Sequence, residues 1–220
     1  MSLEFVVATV AAGRGRASRG SGTWRKHRDC LESVQTMVGP FVIRELAIVV
    51  VGRNHNPTIL NPDFLRFNEI VPSDWELARP PLCTELIAQV VFGNRLSVVS
   101  QQDKIIFSKA FSVDGTGPVE TPGVAQRYLN TVPHVDYQAV GVNPNGYVTF
   151  EDQAAVLAFA KDRFLAKGPW LGFGDGLHGA GIRFSYEVEG RTLNLSLDAG
   201  CRQSTGNCRR WGKSASAFWT

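Results

Sequence analysis

The sequence predicts an α+β fold: a mostly antiparallel sheet of meander and hairpins, with two main helices packed on one face. Three observations predict it. Between residues 86 and 111, β-rich runs follow one another across short connections, the first containing Gly93-Asn94, which is the pattern of hairpins. Two apolar-periodic stretches, 121–132 and 151–168, carry helix start and stop signals. These helical stretches join groups of strands rather than alternating with single strands, which argues against a parallel sheet.

The elements come in order along the chain. "FVIRELAIVVVG" (41–52) is rich in β-branched residues and continuously apolar in its later half. That predicts a central strand buried on both faces. Arg53 to Thr84 carries Pro57, Pro62, Pro72, Pro80 and Pro81, so no helix or strand of normal length fits there. Within it, "PSDWEL" (72–77) predicts one helical turn, with Ser73 as cap and Glu76 at the third position. "LIAQVVF" (86–92), "RLSVVS" (95–100) and "KIIFSKAF" (104–111) read as an antiparallel meander.

"TPGVAQRYLNTV" (121–132) has Thr121 as cap, Pro122 at the first helical position, and Val124, Tyr128 and Leu129 on one face. "VDYQAVGVNPNGYVTF" (135–150) alternates, with Tyr137, Ala139 and Gly141 on one face and Gln138, Val140 and Val142 on the other. It is expected to break at a turn, "NPNG", before resuming as "YVTF". In "EDQAAVLAFAKDRFLAKG" (151–168), acids sit in the first turn, bases come later and Gly168 closes it. Val156, Phe159, Ala160 and Phe164 form its apolar face. A glycine-rich loop (168–181) leads to a hairpin (182–197) turning at Glu189-Gly190, with Leu193, Leu195 and Leu197 on one side of its second strand.

Charge divides the chain. Residues 37–200 hold 13 Lys/Arg and 17 Asp/Glu, whereas the flanks 1–36 and 201–220 hold 10 and 3. A mildly acidic body with basic ends predicts three regions: a basic, disordered extension (1–37), a single α+β domain (38–200) and a basic, disordered tail (201–220). Met37 directly precedes the first strong strand, so the extension is expected to be dispensable for folding. Nucleic-acid contact is the sharper reading of the basic ends. Four cysteines without a CxxC spacing argue against a disulfide framework and for a reduced, cytoplasmic setting. No apolar run reaches the ~20 residues of a membrane-spanning helix.

"GDGLHG" (174–179) matches GxGxxG. A dinucleotide fingerprint must follow a strand and open a helix, and this one follows a helix and opens a strand. It reads as a connection, with Trp170, Phe173 and His178 as binding candidates. The four histidines, His27, His55, His134 and His178, have no local metal-ligand spacing, so neither a metal nor a cofactor is expected. The sequon at Asn194 lies mid-strand in a chain without a secretion signal and is discounted. The remaining candidates cluster in "RNHNPTILNPDFL" (53–65) and just beyond: Asn54, His55, Asn56, Asp63 and Trp75.

That stretch has two readings. Asparagine tolerates left-handed backbone and caps turns, and Asn-Pro steps start them. The segment is then a clasp anchored by Ile59, Leu60, Phe64, Leu65 and Phe67. Long loops also carry recognition, so the same polar residues could face a partner. A triad of His55, Asp63 and Cys83 has no support in spacing.

"RNHNPTILNPDFL", "VPSDWEL" and "YQAVGVNPNGYVTF" resemble segments of an uncharacterised bacterial family of small proteins, over about residues 41–198. The resemblance implies no activity, cofactor or catalytic residue, only that the body is a unit. The leading expectation is a non-catalytic binding or assembly protein acting through the loop 53–84 and a sheet edge or face, with a protein partner or self-association. The alternatives are a small enzyme with a dispersed polar site around His55 and Asp63, and nucleic-acid contact through the basic ends.

Overall fold

The structure is a computed structural model. The residues it describes are 2–12, 40–112, 117–188 and 190–200, with backbone alone at 2–12 and 200. They form strands β1 (Ser2–Ala12), β2 (Val42–Arg53), β3 (Leu82–Cys83), β4 (Ile87–Val91), β5 (Leu96–Gln101), β6 (Lys104–Ala110), β7 (Asp136–Thr149), β8 (Ala180–Val188) and β9 (Arg191–Gly200). The helices are α1 (Pro62–Phe67), α2 (Thr121–Thr131) and α3 (Gln153–Phe164). Single 3-10 turns occupy Pro57–Ile59 and Pro169–Gly172. One sheet runs in the order β3-β4-β5-β6-β2-β7-β1-β9-β8, every pair antiparallel.

The expected α+β class holds, including both main helices on one face. Register explains why. Directly paired residues share a face, so Ile48 lies with Phe107 and Val142. Following the same side through β1 leads to Leu193, Leu195 and Leu197 on β9, then to Tyr186, Phe184 and Ile182 on β8. α2 packs on the β2–β6 part of this side through Val124, Ala125 and Tyr128, all buried. α3 packs on the β8–β9 part, burying Val156 and Ala160 and setting Phe164 beside Phe184, ring centroids 6.1 Å apart. Ile48, Val50, Val90, Val98, Ile105 and Phe107 supply the sheet's share of the core.

Several expectations need correction. Residues 2–12, assigned by composition to an extension outside the fold, form β1 between β7 and β9. The charge count located the basic residues, but β1 precedes them and is itself rich in β-branched residues. The rest of the expected extension and the tail 201–220 lie outside the described residues.

β2 is central but not buried on both faces. Ile48 and Val50 are buried, whereas Ala47, Val49 and Val51 stay half-exposed on the side without α2 or α3. The "NPNG" turn is absent, and β7 runs through it unbroken. Pro144 has no N–H to give to a ladder. The β1–β7 register has a gap where Val7 and Ala8 would pair with Pro144 and Asn143, while Pro144 keeps its place opposite Leu46 of β2. A register shift between Val51 and Gly52 puts Tyr137 opposite Gly52 on the core side, not with Ala139 as strict alternation predicts.

"PSDWEL" forms a turn rather than a helix. α2 begins after Glu120, not with a Thr121 cap, because the Thr121 side chain is buried and makes no cap hydrogen bond. α3 begins on Asp152, whose carboxylate accepts from the Ala155 amide at 2.7 Å. It ends at Phe164, short of Gly168. The hairpin at Gly190 is as expected, with that glycine at φ 72°.

Gly146 is where β7 cannot carry a side chain. A Cβ there would lie 2.7 Å from the Val42 carbonyl oxygen and would run into the Phe41 ring. Gly146→Ala is expected to cost roughly 1–3 kcal/mol in urea unfolding, as overpacking does. Gly172→Ala, where a Cβ meets nothing within 4 Å, is expected to leave the midpoint unchanged.

Candidate functional site

The segment after β2 is built from its asparagines. Asn54 turns the chain out of the strand at φ 65°, a left-handed conformation that asparagine tolerates better than most residues. Asn56 accepts from the Thr58 amide at 3.1 Å and from the Thr58 hydroxyl at 2.7 Å, starting the 3-10 turn at Pro57. Asn61 accepts from the Phe64 amide at 2.7 Å, starting α1 at Pro62. Each Asn-Pro step is thus a cap followed by a proline at the first helical position. Sequence reasoning named the capping chemistry but missed that the second step nucleates a helix.

The clasp then fastens onto the core. Leu60, Leu65 and Ile70 are fully buried, Val71 nearly so, and Phe64 meets Tyr128 edge-on at 6.2 Å. Ile59 is half-buried, but Phe67, expected as an anchor, is 88% exposed. Arg127 of α2 donates to the Ile70 carbonyl at 2.9 Å, and Arg66 to the Trp75 carbonyl at 2.6 Å. Trp75 packs against Phe92 at 5.4 Å and serves the core rather than the surface.

His55 is buried, and its Nε2 has no hydrogen-bond partner among the described residues. The ring lies edge-on to Tyr137 at 5.9 Å. It occupies space that only a glycine at position 52 leaves open, since a Cβ there would lie 3.0 Å from Nε2. Burial lowers its pKa from the ordinary 6.5, against a smaller opposing pull from Asp103. The Tyr137 hydroxyl donates to the Val132 carbonyl at 2.8 Å, and burial pushes its pKa up to about 12.

The sequence-named residues therefore separate. His55 and Trp75 face inward. Asn54, Asn56 and Asp63 are exposed, and Asn56 uses its side-chain oxygen as a cap. Among the described residues no hydrogen bond or ion pair joins His55, Asp63 and Cys83. Trp170 is 44% exposed and His178 is exposed on the loop before β8, tied to α3 by Gln153 donating to the His178 carbonyl at 3.1 Å. No group of three or more potential metal ligands occurs among the described residues. None of the described helices is long and apolar enough to cross a membrane.

Two features were missed. An apolar groove of about 260 Å³ runs between α2 and the middle of the sheet, with Ile48, Val50, Ala125, Leu129, Val140 and Val142 on its walls. Leu129 on the apolar face of α2 and the alternation of Val140 and Val142 were sequence signals for it. The second feature is an ion pair between Lys109 on β6, 5% exposed, and Glu120 before α2, which also accepts from Asn94 at 3.3 Å. Eleven residues apart in irregular sequence, the two give no periodic signal. No protein-family model matches the chain, and no curated protein matches it either.

Two outcomes check the clasp. Asn61→Ala is expected to cost about 1 kcal/mol and Leu65→Ala about 2–5 kcal/mol, while Asp63→Ala stays within about 0.5 kcal/mol, all by denaturant unfolding. The second is pH dependence. Burial keeps His55 neutral where the unfolded chain would protonate it, so the unfolded state binds more protons. This part of the stability is whole above 6.5 and is lost as pH falls through the lowered value. Melting curves from about pH 7 to about pH 5 should fall for the native chain and flatten in His55→Phe. An unchanged slope would contradict the buried-neutral assignment.

Proposed function

We propose that the protein is a non-catalytic binding or assembly protein whose contacts are made by the sheet rather than by the polar side chains of 53–84. The observation that carries this reading is the face without α2 or α3. There Val49, Ile106 and Val99 sit side by side across β2, β6 and β5, and all three are half-exposed. Val51 and Val91 extend the row, while Gln89, Ser97, Ser108 and Lys104 border it. An antiparallel sheet with one face on its core normally turns polar residues outward. An apolar strip rimmed by polar groups is instead the composition of an interaction surface.

Two points weigh against the enzyme reading. His55 is engaged in packing, and Asp63 stands apart on the exposed side of α1. The nucleic-acid reading rests on the basic ends alone.

Replacement of Ile106 or Val99 by lysine tests the proposal. Each side chain is half-exposed and should be replaceable with the fold retained, as judged by circular dichroism. Cross-linking of the native protein followed by mass spectrometry is expected to yield neighbours through β5 and β6 that disappear in Ile106→Lys and persist in Asp63→Ala. Neighbours that survive Ile106→Lys but vanish in Asp63→Ala would overturn it.

A further inference from the structure

The two edges of the sheet are unlike. At one end, β3 is two residues long and follows Pro80-Pro81, and both devices discourage pairing with another strand. At the other end, β8 is nine residues long, has no proline, and pairs with β9 in unbroken register over its whole length. No described residue pairs with its outer side. Its side chains are half-exposed or exposed throughout, with Tyr186 and Val188 each at 47%. A long, regular, open edge is a template for another strand.

The β8 sequence "AGIRFSYEV" is self-complementary about Ser185. Run antiparallel against a second copy with Ser185 opposite itself, Arg183 falls opposite the second copy's Glu187, and Glu187 opposite its Arg183. Phe184 meets Tyr186 and Ile182 meets Val188, each pairing occurring twice by symmetry. Directly opposed residues share a face. The charges therefore meet on the face without helices, and the aromatic and aliphatic pairs meet on the face that carries α3. Charges on an edge strand ordinarily protect it. Here their opposite signs sit at equal distances from a residue that can lie on a two-fold axis, so the same charges select a second copy of this chain. Glu187 accepts from Thr192 of β9 at 2.7 Å, which holds its carboxylate in place, and Arg183 has no ion-pair partner among the described residues.

We propose that two copies of the chain associate through β8, antiparallel and centred on Ser185, so that two sheets become one continuous sheet with two-fold symmetry. This rests on the assembly reading and gives it a partner, an edge and a register.

Sedimentation velocity on the full-length chain tests it across a concentration series. The native protein is expected to dimerise. Arg183→Glu and Glu187→Arg each set like charges opposite one another twice per dimer and should weaken the dimer at least about tenfold. The two single variants mixed together, and the double variant R183E/E187R, should recover it, because opposite signs face each other again. As a check on register, Ser185→Cys in a chain whose four native cysteines are serine should form a covalent dimer on oxidation, since opposed strand residues lie within disulfide reach. Overturning results are a dimer indifferent to these charges, or one lost in Ile106→Lys instead. The latter would place self-association on the open face and leave the assembly reading intact. A chain that stays monomeric yet keeps its open-face neighbours would overturn the β8 dimer alone, and the loss of both would overturn the two together.

Discussion

The pairing of β2 with β7 is the constraint on which the rest depends. Eleven residue pairs join them, and they unite the β3–β6 meander with the β1, β9 and β8 strands. Side chains alternate with period two, so a one-residue slip here would send one half's apolar positions to the wrong side. In the observed register Ile48 and Val50 fall on the side where Val140, Val142 and Leu197 lie, and both helices can cover a common face. Two shifts interrupt that register, at Ile43/Glu45 and Val51/Gly52. The second brings Tyr137 onto the core.

That shift also sets the course of the chain beyond β2. Gly52 sits close against Val135, Asp136 and His55, and Asn54 turns the chain sideways. The segment then closes the open end of the core with Leu60, Leu65 and Ile70. Its polar residues answer to backbone geometry: the asparagines satisfy amides that the turns would leave unpaired. His55 stays uncharged beneath them. The cost of this arrangement is a histidine nitrogen with no described partner, and burial favours its neutral form.

Local chemistry was legible in the sequence, and non-local pairing was not. The meander, the Gly190 hairpin, the apolar face of α3 and the asparagine capping all depend on neighbours within a few residues. β1 was lost because net charge over 36 residues describes the basic stretch and not the apolar strand before it. Its partners lie more than a hundred residues away. Pro144 read as a turn because a proline in a central strand needs a gap in a neighbouring ladder, and nothing local announces that gap. At the candidate site, residue types pointed to capping, but burial decided which side chains were available. His55 and Trp75 turned inward, Phe67 turned outward, and the Lys109–Glu120 pair gave no pattern.

Among the described residues α2 and α3 cover one face of the sheet and leave the other face and the β8 edge open, and the proposed contacts lie there rather than in the asparagine-rich segment. Hydrogen exchange on the native chain separates a packed clasp from a mobile surface loop. The amides of Leu65, Ile70 and Val71, bonded to the Asn61 and Leu65 carbonyls, are expected to exchange with the same slow, cooperative behaviour as those of Ile48 to Val50 in β2. Rapid exchange of 54–71 beneath a protected sheet would mark the segment as a mobile recognition loop and contradict the account.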